Sequence, residues 1–250
     1  MKKYITIISV FALIGIAALL FRVGSRSVTP ASSSNNTPVM ENNLNMASQS
    51  AGDMIDLPEI ITDGNISLEQ ALRLRRSIRS YSDEALTLGD LGQLLWSAQG
   101  ITGDRGFRTA PSAGATFPLE MFAVANNVEG LNTGIYHYHP HEHRLEMIRE
   151  DDISEALFRA CLSQSMILDG GAVLVFAAVY ERTTDRYGQR GERYVLNEVG
   201  HASQNVHLQA AAMDLGTVVI GAYRDEEVED ILRLGDQYRV LYLMPVGKMP

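Results

Sequence analysis

Apolar positions are distributed along this chain in three ways, and each predicts a different kind of segment. Residues 5–21, ITIISVFALIGIAALLF, are apolar on every face for seventeen positions. That length stands at the upper edge of a signal-peptide core and the lower edge of a membrane span. From Gly24 to about Asp53 Ser, Asn, Thr and small residues replace the apolar pattern, which predicts a flexible tether. Periodic segments then continue to the end of the chain. The expected organisation is a signal peptide or membrane anchor over 1–25, a linker over 26–54 and one domain of ordinary size over 55–250.

Inside that domain the helical signals begin at Ser67, where Ser-Leu-Glu-Gln forms a capping box ahead of Leu72 and Leu74. Thr87 to Ala98 places Leu88, Leu91, Leu94 and Leu95 on one helical face. The segment ITGDRGFRTAPSAGATFP, 101–118, is too rich in Gly, Pro and Thr for regular structure. Leu119 to Ala125 and Gly134 to Tyr138 predict strands, the second pairing with Arg144 to Ile148 across Pro-His-Glu-His as a hairpin. A helix over Ile153 to Leu162 and a buried strand over Ala172 to Tyr180 follow. The strongest pattern spans Glu192 to Leu215, where Val195, Val199, Ala202, Val206, Ala210 and Met213 recur every three or four residues. Gly216 reads as the stop for that helix. Thr217 to Ile220, Glu226 to Leu234 and Val240 to Val246 then predict strand, helix and strand. These elements interleave without clean strand-helix-strand alternation, so the expected class is α+β, a central mixed sheet covered by helices.

Charge narrows the partners. The chain carries 21 Lys+Arg against 30 Asp+Glu, a formal charge of −9. Lys2, Lys3, Arg22 and Arg26 all lie in the N-terminal segment, so the remainder stands near −13, with Lys248 as its one lysine. Such a domain does not seek nucleic acid or anionic lipid. Its cations are otherwise arginines, whose planar fork suits phosphate. The sole cysteine, Cys161, excludes an internal disulfide and reads as a small buried hydrophobe. The N-terminal segment predicts a domain exported or membrane-anchored outside the cytoplasm.

Arg75-Arg76-Ser77-Ile78-Arg79 concentrates three guanidinium groups and a hydroxyl, enough for several charge-assisted bonds to one phosphate. Arginines at a helix C-terminus also complement the helix dipole, the alternative reading. Arg108 to Ala115, RTAPSAGA, is a Pro-bounded run of small residues that would let backbone groups approach a flat ligand, or an ordinary surface turn. Gly216 to Ala222 reads as a strand ending at a glycine. His137 and His139 alternate onto one strand face, while His141 and His143 fall in the turn. No acid or cysteine completes a recognisable metal spacing nearby in sequence, so these read as solvated histidines and no metal is expected. His201 and Glu198 read as a helix-surface pair. Neither a nucleophile elbow, a P-loop nor GxGxxG occurs.

Five segments in order, SLEQALRLRRSIRSYSDEALTLGDLGQLLWSAQGIT, RTAPSAGATFPLEMF, GIYHYHPHEHRLEMI, RYVLNEVGHASQNVHLQAAAMDLGTVVIGAY and LYLMPVGK, together resemble the nitroreductase superfamily of flavoproteins. The branch they most resemble is the SagB-type dehydrogenases, whose characterised members oxidise azoline rings to azoles. The resemblance covers about Ile55 to Gly247. It implies an intertwined α+β dimer with FMN bound at the subunit interface, and two-electron hydride transfer between flavin N5 and a small organic substrate. It further implies that Arg75, Ser77 and Arg79, with Arg76 beside them, hold the FMN phosphate and ribityl chain. Pro111, Ser112, Ala113 and Gly114 match the loop against the isoalloxazine ring, Ile220 and Gly221 the strand end under N5, and Lys248 a further phosphate contact. Azoline-oxidising members carry a Lys-Tyr pair ahead of the long helix, and Arg186-Tyr187 stands there as the candidate catalytic pair. Arginine stays protonated and is a poor base. Alternatives to a general FMN oxidoreductase are a SagB-type azoline dehydrogenase and a ligand-binding module without turnover. An exported location implies a membrane or extracytoplasmic electron donor.

Overall fold

The computed structural model describes residues 49–250. The expected targeting segment and most of the expected linker lie outside the described residues. Residues 49–53, the far end of that linker, lie along the sheet edge: Gly52 N–H donates to the Met147 carbonyl at 2.7 Å, and Gln49 bonds Gly130, Asn132 and Tyr136. These ties come from backbone and amide groups, which leave no apolar trace in the sequence.

Seven strands form one sheet in the order β1-β4-β3-β2-β5-β7-β6: β1 (Met54–Asp56), β2 (Leu119–Ala125), β3 (Gly134–His139), β4 (Arg144–Glu150), β5 (Ala172–Ala178), β6 (Leu215–Thr217) and β7 (Arg239–Lys248). All six strand pairings are antiparallel. The parallel component is confined to a single bridge, Leu86 to Val128. The class is α+β, as the interleaving predicts. At the centre, β5 buries every side chain. Its alternation sends Leu174 and Phe176 to one face and Val173 and Val175 to the other, each into its own core.

The first core is roofed by α2 (Leu88–Gln99) and α6 (Arg190–Ala212). Leu91, Leu94 and Leu95 from α2 meet Val195, Val199, Ala202, Val206 and Ala210 from α6, the two stripes seen in the sequence. The second is covered by α3 (Ser154–Ala160), α4 (Met166–Asp169) and α7 (Asp225–Leu232). Cys161 is buried there, and desolvation pushes its thiol up to about 12. It is inert, as its apolar surroundings require. Helix α1 (Leu68–Leu74) packs on α6. The expected capping box of Ser67 with Gln70 is present, and a second one, not anticipated from the sequence, pairs Thr87 with Asp90; each fixes a helix start at about 1 kcal/mol.

Two features differ from expectation. The long helix ends at Ala212, four residues before Gly216, with Asp214 in the left-handed conformation at φ 57°, the role more often taken by Gly or Asn. Gly216 lies within β6 instead, and a Cβ there would come within 2.7 Å of Ile78 Cγ2. Its job is to admit a crossing chain, and the strand begins at Leu215 rather than Thr217. Second, a polar helix, α5 (Glu181–Tyr187), precedes α6. Only Thr183 of α5 is buried, so no apolar periodicity announces it. Among the described residues no helix is long and apolar enough to cross a membrane.

Candidate functional site

After α1 the arginine segment leaves the helix and lies along the sheet edge. Ile78 N–H donates to the Thr217 carbonyl at 2.9 Å and Ser82 N–H to that of Lys248 at 3.0 Å. The Tyr81 hydroxyl donates towards the Ile78 and Pro245 carbonyls, 3.1 Å from each. Gly216 and Gly247 clear the way; a Cβ on Gly247 would stand 2.6 Å from Tyr81 Cβ. The four candidates on this strap divide. Arg76 turns back to the helix it follows, donating to the carbonyls of Arg73 and Arg75 at 3.0 and 2.7 Å. For this residue the helix-end reading describes the bonds it makes. Arg75, Ser77 and Arg79 make no side-chain hydrogen bond or ion pair among the described residues, and the last two are exposed. They are free for an anion.

Behind the strap a cavity of about 270 Å³ is lined by Arg76, Ile78, Thr217, Met249 and His207 from α6. His207 is 8% exposed and its Nδ1 has no partner. Burial first, and then the Arg75 charge, push it down to about 4, so the ring is neutral at pH 7. Lys248 lies at the neighbouring strand end, but its Nζ is 2.7 Å from Asp90 Oδ2. Asp90 is held below the usual carboxylate range: burial opposes this, while bonds from Lys248 and Thr87 outweigh it.

The loop site forms at the other end of α6, whose residue Glu198 lies nine positions, roughly 13 Å, from His207 along the axis. Helix α5 braces the loop with four side chains. Arg182 Nη1 donates to the Phe117 carbonyl at 3.0 Å, Thr183 and Thr116 hydroxyls meet at 2.8 Å, and Arg186 Nη1 donates to the Gly114 carbonyl at 2.9 Å. The Tyr187 hydroxyl occupies the space a Gly114 Cβ would need, 2.4 Å away. Gly114 has φ 62°, so both conformation and contact call for glycine. The structure thus joins two motifs distant in sequence, Arg186-Tyr187 and Pro111 to Gly114. Among the described residues the N–H groups of Ser112, Ala113 and Gly114 donate to nothing in the protein.

Beside this loop lie Arg108 from its own motif and, unexpectedly, Glu198. Glu198 is 2% exposed rather than a surface partner of His201, which is the exposed member of that pair. Desolvation raises its carboxyl to about 7, against the opposing pull of the Ser112 hydroxyl and Arg108. Arg108 donates to Gln99 Oε1 at 2.9 Å and lies over the Phe117 ring. Four of the seven buried side-chain atoms without partners among the described residues belong to Gln99 at the end of α2, Arg108 in the loop that follows it, and Glu198 and His207 on α6. Since buried polar groups are nearly always bonded, this wall fits a polar ligand. The faint signal for Glu198 was its place three residues from both Val195 and His201, at the margin of the apolar stripe.

Ile220 and Gly221 stand apart from this wall. Ile220 packs into the second core, bridging to Leu243 with its N–H spent on that carbonyl at 2.7 Å, while Gly221 is exposed. Three of the four hairpin histidines are not freely solvated either: His137 bonds Glu120, His139 bonds Glu146, and His143 bonds Tyr138 and the Pro58 carbonyl, while His141 is exposed as expected. Their carboxylates come from neighbouring strands, which sequence spacing cannot show.

Known proteins resemble this chain in sequence and fold. The chain is 46% identical over 194 residues to MJ1384 of Methanocaldococcus jannaschii, which carries a nitroreductase name, covering 78% of this chain and 96% of that one. It is 31% identical over 150 residues to the microcin B17-processing protein McbC of Escherichia coli, covering 55% of this chain and about half, 52%, of McbC. A nitroreductase-like protein of Ralstonia eutropha JMP134, known from a crystal structure, superposes with a TM-score of 0.68 at 26% identity, over 79% of this chain and 90% of that one. Residues 72–248, from the last turns of α1 through the end of β7, match the nitroreductase family, and the chain belongs to that family.

Proposed function

We propose that this chain is an FMN-dependent oxidoreductase that works as a homodimer and moves two electrons, as a hydride, between the flavin and a small organic molecule. The observation that carries the reading is the wall of buried, unpartnered polar atoms on Gln99, Arg108, Glu198 and His207, bounded at one end by free arginines and at the other by a loop with free N–H groups. Bound FMN supplies the hydride chemistry.

Each protein group has a task suited to its setting. Arg75 and Arg79 offer guanidinium forks to the phosphate and Ser77 adds a hydroxyl. Ser112, Ala113 and Gly114 present backbone N–H groups to the ring, and the α5 brace holds them in place before the ligand arrives. Arg108 supplies a fixed positive charge beside the loop. Glu198, poised near neutrality by its burial, holds a proton at its carboxyl beside the Ser112 hydroxyl and releases or regains it within the working pH range. Ile61, Leu68, Leu72, Leu74, Phe107 and Leu196 are each more than half exposed. This much apolar surface supports burial against a second copy.

The likeness to McbC favours a second reading, oxidation of an azoline ring. Arg186 already donates to Gly114, and a protonated guanidinium cannot take a substrate proton. In that reading Tyr187 is the proton-handling group. Residues 1–25 further suggest export or anchoring, with a quinol or a redox protein outside the cytoplasm as donor.

Purified protein tests the set. We expect a yellow protein with a flavin spectrum, or one that becomes so with added FMN, bleached by dithionite and re-oxidised by a nitroaromatic or a quinone. Protein that stays colourless after reconstitution sinks the flavin reading. Protein that binds FMN but passes no electrons to acceptors is a binding module.

A further inference from the structure

On the sheet face opposite α6, the register of three strands gathers chemistry that the flavin reading does not use. Phe122 of β2, His137 of β3 and Glu146 of β4 are successive cross-strand partners, so all three side chains lie on one face. His139, two positions along β3, joins them, as does Glu120 two positions before Phe122. One nitrogen from each imidazole and one Glu146 oxygen all lie within 4.8 Å of one another. His139 Nε2 is 2.9 Å from Glu146 Oε2, and His137 Nε2 is 2.9 Å from Glu120 Oε2. His137 Nε2 thus faces the carboxylate from β2 and His139 Nε2 the one from β4. The site is half-buried: side-chain exposure is 15% for His137, 30% for His139, 34% for Glu146 and 16% for Glu120. His137 is fixed by stacking on Phe122, ring centroids 4.4 Å apart and 17° from parallel.

We propose that His137, His139 and Glu146 bind a divalent transition ion of the zinc class, with Glu120 beside the fourth position. Two imidazoles and a carboxylate are the donor set such ions favour over the oxygen-only sets of calcium and magnesium. Tetrahedral Zn–N and Zn–O bonds of about 2.0–2.2 Å bring ligand atoms roughly 3.4 Å apart, reached from the present spacing by small side-chain rotations. β3 is hydrogen-bonded between β2 and β4, and β4 between β3 and β1, so the ligands are held near that geometry. Glu146 makes the charge complementary, and Glu120 adds a second carboxylate shared with Arg182, whose Nη1 is 2.6 Å from Glu120 Oε1. The ion ties β3 to β4 near the sheet edge, where Met54, the β1 partner of Glu146, is exposed. The ion is structural; it lies on the sheet face away from α6 and takes no part in electron transfer.

The test uses the full chain without a histidine tag, stripped with EDTA and titrated separately with Zn²⁺ by calorimetry and with Co²⁺ by visible spectroscopy. We expect saturable binding of one ion per chain, a raised melting temperature, and cobalt bands of four- or five-coordinate intensity, stronger than those of the aqueous ion and abolished by EDTA. His139→Asn and Glu146→Gln should weaken binding at least tenfold and remove the intense bands. Glu146→Gln is nearly isosteric and retains a hydrogen-bonding oxygen, so it reports even if the histidine variant folds poorly. His141→Ala, in the exposed turn of the same hairpin, should bind as the parent does. Absence of saturable binding by the parent, cobalt spectra of octahedral type only, or unchanged affinity in Glu146→Gln overturns the site.

Discussion

Glu198 and His207 occupy one helix, nine positions apart, both nearly inaccessible and each with an atom that lacks a partner. Burial acts on the two in opposite directions. It raises the carboxyl to about 7 and lowers the imidazole to about 4, so the acid tends to keep its proton while the base loses one. In both cases the folded chain disfavours the charged form, because low-polarity surroundings penalise charge of either sign. The difference lies in what remains for chemistry. At neutral pH the loop end has a group that exchanges a proton with little cost, whereas the strap end has a fixed neutral donor and acceptor beside cations. Toward the loop α6 thus keeps an exchangeable proton, and toward the strap an uncharged ring beside Arg75.

The largest expected effect removes the proposed phosphate contacts of the strap. Arg75→Ala combined with Arg79→Ala should weaken FMN binding by at least 100-fold, since charge-assisted bonds are worth about 1.5–3 kcal/mol each. Fluorescence titration with FMN measures it, and full retention would show that the strap does not bind phosphate. By contrast, Glu198→Gln should leave FMN affinity within a few-fold of the parent.

The next effect separates the two groups by pH in flavin-free protein. The unfolded Glu198 carboxyl titrates near 4.5 and the folded one near 7, so the folded state binds more protons in this window and loses stability as pH rises. Glu198→Gln should therefore stabilise the protein by on the order of 2 kcal/mol at pH 8 and hardly at all at pH 4. His207 runs the other way: near 6.5 unfolded and about 4 folded, it costs stability as pH falls through that range. His207→Gln should gain on the order of 1–2 kcal/mol at pH 4 and nothing above pH 7. Urea unfolding at several pH values measures both. Parallel pH profiles for the two variants would contradict the contrast.

The smallest effect concerns the loop itself. Gly114→Ala places a methyl against Tyr187 at a positive φ and should cost about 1–2 kcal/mol. Pairing it with Tyr187→Phe, which removes the crowding oxygen, should recover part of that cost and leave the backbone part. Equal losses with and without the tyrosine hydroxyl would assign the whole effect to the backbone.

The sequence makes the fold legible wherever one element carries its own signal. The Ser67 capping box, the β3–β4 hairpin and the apolar stripe of α6 all occur within about three residues of their expected places. The arginine strap and the Pro111 to Gly114 loop stand out as motifs for the same reason, being unusual over short spans. What could not be read depends on what comes from elsewhere in the chain. Helix α5 is polar because its work is to grip a loop 70 residues earlier, so it lacks an apolar face. Gly216 looks like a helix stop until Ile78 is seen crossing it. Glu198 looks like a surface residue because only the loop above it decides its burial. His137 and His139 lack an acid in sequence, and β2 and β4 supply two.

The strap also sets an order in time. Its arginines are made early in synthesis, yet Tyr81 finds its partner carbonyl 164 residues later and Arg186 reaches Gly114 across 72. Contacts of such sequence separation form late, because loop closure must come first. An arginine segment released from the ribosome has no cradle until β6 and β7 join the sheet at the end of the chain. If the strap holds the FMN phosphate as proposed, cofactor capture follows folding, and the compartment in which the chain folds must provide the flavin.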